Sequence, residues 1–230
     1  MHQYLSPLVK SFKNYADPEA AVGMKKYMRN QFEYIGLKTP LRRELFKNFL
    51  KEAGLPPKSE LNEIINDLWE QPEREFQYAA LELCGCFKKQ IEREDIEQFE
   101  QMITWKSWWD TVDGIAPNLV GELFKKYPDM IAPKTKEWRE SDNMWLQRSS
   151  IIFQLKYGEK TDLDLLFVTI LGFRDSKEFF IQKAMGWALR QYAWLHPEII
   201  RDFVQKHTLP PLTKREALKN INKMIIRKTL

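Results

Sequence analysis

EFQYAAL (75–81), DTVDGIA (110–116), WLQRSSI (145–151) and FIQKAMG (180–186) align without a gap, each 35 residues after the last. Their fourth residues are Tyr78, Asp113, Arg148 and Lys183, and Gln stands before three of them, at 77, 147 and 182. A fixed period of this length is what stacked helical repeats produce, with equivalent residues along one edge of the stack. Aromatic, acid, base, base is an unusual series for a solvated edge, so chemistry is sought there.

The rest of the chain reads the same way. Glycine is scarce, at nine residues, and apolar residues recur at three- and four-residue spacing. LNEIINDLWE puts Leu61, Ile64, Ile65 and Leu68 on one helix face, and the stretches from Asp162 and from Pro197 repeat the pattern. Pro18, Pro40, Pro57, Pro72, Pro128, Pro133, Pro197 and Pro211 mark helix starts and stops. Ser141-Asp142-Asn143 and Asp175-Ser176-Lys177-Glu178 supply capping groups. About twelve to fourteen helices of ordinary length fit the chain. Two antiparallel helices per repeat give HEAT-like or ARM-like units, and no linker interrupts them. The expected fold is all-α: one domain over 1–230, a right-handed helical-repeat solenoid with a concave binding face. Pro117 falls inside the helix that carries Asp113, so that helix is expected to kink or restart.

At 230 residues a well-buried core is affordable, and no apolar run approaches the roughly 18–20 residues of a membrane span. The N-terminal stretch is broken by Pro7 and carries Lys10 and Lys13, unlike a signal peptide. Cys84 and Cys86 are too close for the usual zinc pair, so they read as reduced thiols of a cytoplasmic protein, with Cys84 in the core. No metal and no cofactor is expected. Net charge is only +4, but it is uneven. Met24 to Lys51 and Arg201 to Lys228 each hold eight bases against two acids, whereas Glu60 to Glu100 holds twelve acids against four bases. Basic ends suit a polyanion, although solvated helix faces give the same runs.

The densest local signal is Trp105-Lys106-Ser107-Trp108-Trp109-Asp110-Thr111-Val112-Asp113. Residues four apart share a helix face, so Trp109 lies beside Asp113, and Lys183 beside Trp187. Stacked repeats would bring Trp109, Asp113, Arg148, Lys183 and Trp187 onto one strip; otherwise the indoles are core and Asp113 caps a helix or pairs with Arg148. A carboxylate repels phosphates, so a surface that only binds nucleic acid would gain by losing it. It helps where positive charge develops, as at the oxocarbenium-like sugar of N-glycosidic cleavage. Indole faces can hold a cationic group, and Arg148 and Lys183 can grip phosphates.

GLKTPLRRELFK (36–47), LWEQPEREFQYAAL (68–81), KSWWDTVD (106–113), SDNMWLQRSSIIFQLKY (141–157) and SKEFFIQKAMGWALRQYA (176–193) resemble the AlkD-type DNA alkylation-repair glycosylases nearly end to end. That family is built of HEAT-like repeats and hydrolyses the glycosidic bond of 3-methyladenine and 7-methylguanine, leaving the lesion stacked. The resemblance implies Asp113 as the catalytic carboxylate, Trp109 and Trp187 framing the lesion nucleotide, and Arg148 on the adjoining backbone. Tyr27 matches a further aromatic near the lesion, and Lys183, Arg43 and Trp108 are the remaining candidates for DNA contact. The implied partner is duplex DNA with alkylated bases, bound by a monomer away from any membrane.

Three readings follow. The first is a monofunctional alkylpurine glycosylase, with a Schiff-base step through Lys183 left open. The second is a non-catalytic binder of damaged or branched DNA, and the third a peptide-binding scaffold. Trp109, Asp113, Arg148 and Trp187 together favour the first.

Overall fold

The computed structural model describes residues 1–219 together with Ile221 and Met224, so part of the basic run from Arg201 to Lys228 lies outside the described residues. Every regular element among these is helical; the one extended pairing is an isolated bridge between Glu33 and Glu73. No described helix is long and apolar enough to cross a membrane. The chain forms two compact units, Met1–Gln90 and Ile91–Leu230.

The first unit holds α1 (Ser6–Asn14), α2 (Pro18–Tyr27), α3 (Thr39–Ala53), α4 (Leu61–Glu70) and α5 (Arg74–Cys86). Asp17 caps α2 by accepting from the Ala20 N–H at 2.9 Å, and Pro18 occupies the first turn, where its missing N–H costs nothing. The apolar face of α4 is realised as expected: Leu61, Ile64, Ile65 and Leu68 are all buried. Phe12 of α1 stacks on Phe76 of α5 with centroids 5.5 Å apart. Glu75 is fully buried, and its carboxylate accepts the N–H groups of Ile35, Gly36 and Leu37 at 2.8–3.1 Å. Three donors compensate the lost hydration and fasten the approach to α3 onto α5. Gly36 is required there: its φ is 101°, and a Cβ would sit 2.0 Å from the Asp17 carbonyl oxygen. Cys84 is buried and Cys86 exposed, both as free thiols.

The second unit holds α6 (Asp95–Thr104), α7 (Trp109–Ile115), α8 (Gly121–Lys126), α9 (Ile131–Glu140), α10 (Met144–Ile152), α11 (Leu163–Gly172), α12 (Phe179–Ala193), α13 (Pro197–Lys206) and α14 (Pro211–Ala217). Its core gathers Ile151 and Ile152 of α10, Ile170 of α11, Met185 and Leu189 of α12 and Ile200 of α13. Ion pairs about one repeat apart brace it from outside, among them Arg93–Asp129 at 2.7 Å and Lys134–Glu100 at 2.9 Å.

The period is written into the helix starts. The capping residues of α3, α5, α7, α10 and α12 are Lys38, Glu73, Trp108, Asn143 and Glu178, a constant 35 apart. Arg43, Tyr78, Asp113, Arg148 and Lys183 are therefore each the fifth residue of their helix. The recurrent glutamines have one structural job. Gln77, Gln147 and Gln182 each donate from Nε2 to the carbonyl six residues earlier, on Gln71, Ser141 and Ser176, at 2.8, 2.7 and 2.9 Å. This ties the start of the second helix to the turn before it.

At Pro117 the α-helix is interrupted and restarts, as expected. The chain leaves α7 through a π-helical turn, Ala116–Val120, and resumes as α8. Proline removes the N–H that would bond the carbonyl of Asp113 four residues back, and one wider turn absorbs the mismatch. Asn118 covers the neighbouring gap, donating from Nδ2 to the Gly114 carbonyl at 2.7 Å.

Candidate active site

Trp108 is extended, and Lys106 before it takes a left-handed φ of 49°, which turns the chain sharply into α7. Trp109 then opens the helix and Asp113 follows one turn later on the same face. Both line a cavity of about 310 Å³ in the second unit, together with Arg148 and, from α12, Lys183, Trp187 and Arg190. Five residues marked in the sequence (Asp113, Trp109, Trp187, Arg148 and Lys183) thus come together.

Asp113 is gripped by a fork. Arg148 donates from Nε to Oδ1 at 2.8 Å and from Nη2 to Oδ2 at 2.9 Å, while its Nη1 donates to the Phe180 carbonyl. The guanidinium side chain is 5% exposed and the carboxylate 19%. The arginine is thus committed within the protein, and its planar fork fixes the plane of the carboxylate. Each carboxylate oxygen keeps a lone pair beyond the one given to Arg148, and the exposed edge faces the cavity. Burial pushes the Asp113 carboxyl above its ordinary range, against the lowering effect of the Arg148 hydrogen bonds.

A second acid lines the same cavity. Glu216 of α14 pairs with Lys183 Nζ at 3.0 Å through Oε1 and with Arg190 Nη1 at 2.6 Å through Oε2. These two cations hold the Glu216 carboxyl below the usual range, the Lys183 hydrogen bond contributing most. Helix α14 comes this near because α12 has glycine at 186. A Cβ there would lie 2.5 Å from the Glu216 Cβ.

Trp108 has a different place from its neighbour. Its ring packs on Trp145 and Phe180 at 5.8 and 5.3 Å, and its indole N–H is buried with no acceptor. Trp187 is half-buried against the core of the second unit. Tyr27 and Arg43 belong to the first unit and do not line this cavity. Tyr27 is exposed at the end of α2, and Arg43 Nε donates to Glu82 at 3.1 Å. Sequence reasoning missed Arg190, Glu216, Phe179 and Phe180, all in the cavity wall. Arg190 had a readable signal, standing two turns after Lys183 on the same helix face. Glu216 had another, as one of two acids in a basic run. Among the described residues, no group of three or more His, Cys, Asp or Glu is placed to hold a metal ion.

A family model described as "DNA alkylation repair enzyme" matches residues 8–221. Among solved structures, a predicted DNA alkylation repair enzyme from Enterococcus faecalis is 34% identical with a TM-score of 0.82, over 89% of this chain and 95% of that one. The comparison with curated proteins gives no match.

Proposed function

Since this chain belongs to the DNA alkylation repair enzyme family, we propose that it is a monofunctional glycosylase releasing 3-methyladenine and 7-methylguanine from duplex DNA. The observation that carries this reading is the fork-held carboxylate of Asp113 in one cavity with two indoles, Trp109 and Trp187, and two further cations, Lys183 and Arg190.

A purine alkylated at N3 or N7 already carries positive charge. When its C1′–N bond breaks, the electron pair leaves with the base and neutralises it, so no general acid has to protonate the leaving group. Positive charge moves instead to the sugar, which becomes oxocarbenium-like. Asp113, held in one plane by Arg148, is placed to stabilise that charge and to orient the water that adds at C1′. The water's second proton is lost to the carboxylate or to solvent. Trp109 and Trp187 offer π-faces to the cationic nucleotide, an attraction of about 0.5–2 kcal/mol each. With Arg148 committed to Asp113, the phosphate contacts of this site fall to Lys183 and Arg190. An attack from the backbone side leaves the base in its stack, in contrast to enzymes that extrude the target base. One family model runs across both units, which supports treating them as one working domain.

The test is release of both methylated bases from methylated duplex DNA, by the wild type and by Asp113→Asn. The rate is expected to fall by at least ~10², the scale for removing one transition-state electrostatic group. Undiminished release by the variant would remove Asp113 from the mechanism, and no release by either protein would remove the glycosylase reading.

A further inference from the structure

Asp113 is not the only acid in this cavity. Glu216 lies in a stretch with eight bases and two acids, directly after Lys214 and Arg215, and lines the cavity. In a protein that binds a polyanion such a residue needs a reason. Fastening α14 is not a sufficient one. Thr213 and Ala217 are fully buried, Thr213 Oγ1 donates to the Gln182 carbonyl at 3.0 Å, and Gly186 admits the close approach of the two helices. A semi-buried ion triad adds little to such a contact, since desolvation offsets much of the attraction.

What Glu216 does have is the geometry of a bound anion. Lys183 and Arg190 stand two turns apart on one face of α12, and each takes a different oxygen of the one carboxylate, at 3.0 and 2.6 Å. Two cationic donors on two oxygens of one tetrahedral or trigonal centre is also how a phosphodiester is chelated. We propose that Lys183 and Arg190 form a phosphodiester seat in which Glu216 is the resident competitor, so that DNA engages the pair only by displacing the carboxylate. The inference rests on the DNA-repair reading above and names how that site is regulated. Its consequence is selectivity. Undamaged backbone, offering nothing to Asp113 and the indoles, gains less from the seat than it would if the cations stood free. A nucleotide that also occupies the cavity has further contacts with which to complete the exchange.

The experiment measures the affinity of the full chain for a lesion-free, dye-labelled DNA duplex as a function of salt. Variants are Glu216→Gln, which keeps the shape, and the double variant Glu216→Gln with Lys183→Gln. Thermal melts accompany each. Glu216→Gln is expected to bind undamaged duplex about tenfold tighter at low salt, the scale on which a single interfacial charge acts. The plot of log affinity against log salt should steepen by about one to two units, as one or two cations gain a phosphate. Adding Lys183→Gln should return the slope most of the way. A folded Glu216→Gln with unchanged affinity and slope overturns this inference alone. Weaker binding with a lower melting temperature makes Glu216 a buttress and overturns it as well. A wild type whose affinity does not depend on salt overturns the DNA reading and this inference together.

Discussion

Helices α10 and α7 start at the same place in the repeat and differ at both ends. In α10, Gln147 stands fourth and reaches back to the Ser141 carbonyl, exactly as far along the chain as Gln77 and Gln182 do in α5 and α12. In α7 the fourth residue is Val112, fully buried and without a polar reach. The turn before α7 is instead held by Ser107, whose Oγ donates to the Ile103 carbonyl at 2.7 Å, and it passes through the left-handed Lys106. The same helix leaves by a π-turn. Set beside α5, α10 and α12, the helix that carries the acid thus departs from the repeat at both ends. Regular repeats build the frame here, and the departures mark where a side chain is placed for something other than the frame.

The sharpest way to break that contrast is at the link between the two helices. Arg148→Met should destabilise the protein by roughly 3 kcal/mol, because it strands a mostly buried carboxylate without its fork. Denaturant unfolding measures this, and a loss below about 1 kcal/mol would mean that Asp113 is hydrated rather than held. Base release should fall in the same variant even at temperatures where it is fully folded.

A smaller effect separates frame from site. Gln147→Ala and Gln182→Ala each orphan a backbone carbonyl in a turn and should cost about 1–2 kcal/mol apiece. The two values should agree closely, since the hydrogen bonds they remove span the same six residues. Widely different costs would show that the glutamines are not equivalent.

The smallest effect is confined to acid pH. The Asp113 carboxyl is raised by burial, so the folded protein takes up its proton at a pH where the unfolded chain is still ionised. This group's contribution to stability therefore declines as pH rises through the window between the two values, and is constant outside it. In the proposed reaction activity runs the other way, since there the carboxylate is the working form. The acid limb of kcat/KM should lie above the ordinary aspartate range and move further up in Arg148→Met, which loses the hydrogen bonds that lower it. A limb that does not move in that variant would detach it from Asp113.

The frame was legible in the sequence because it is local. Cap, glutamine and fifth residue fall at fixed offsets in one helix, so a 35-residue period reports them directly. Trp109 beside Asp113, and Lys183 beside Trp187, were legible by the same rule. The place of Glu216 was not. Glu216 reaches Lys183 and Arg190 through the packing of α14 on α12, and α14 begins three residues out of step with the period, after Pro210 rather than after position 213. Trp108 shows the converse limit. Its place next to Trp109 says nothing about direction, and successive residues at a helix start point apart: Trp109 lines the cavity while Trp108 packs on Trp145 and Phe180.

The constant offset from cap to fifth residue makes the chain an indexing device. One residue inserted between them would swing that side chain by about 100° around its helix and point it at a different neighbour. Thirty-five residues inserted as a block would instead add one more place in the series, with its own turn and its own glutamine already supplied. Such a chain can change the residue at one place while the frame keeps its register, and it can lengthen by whole places.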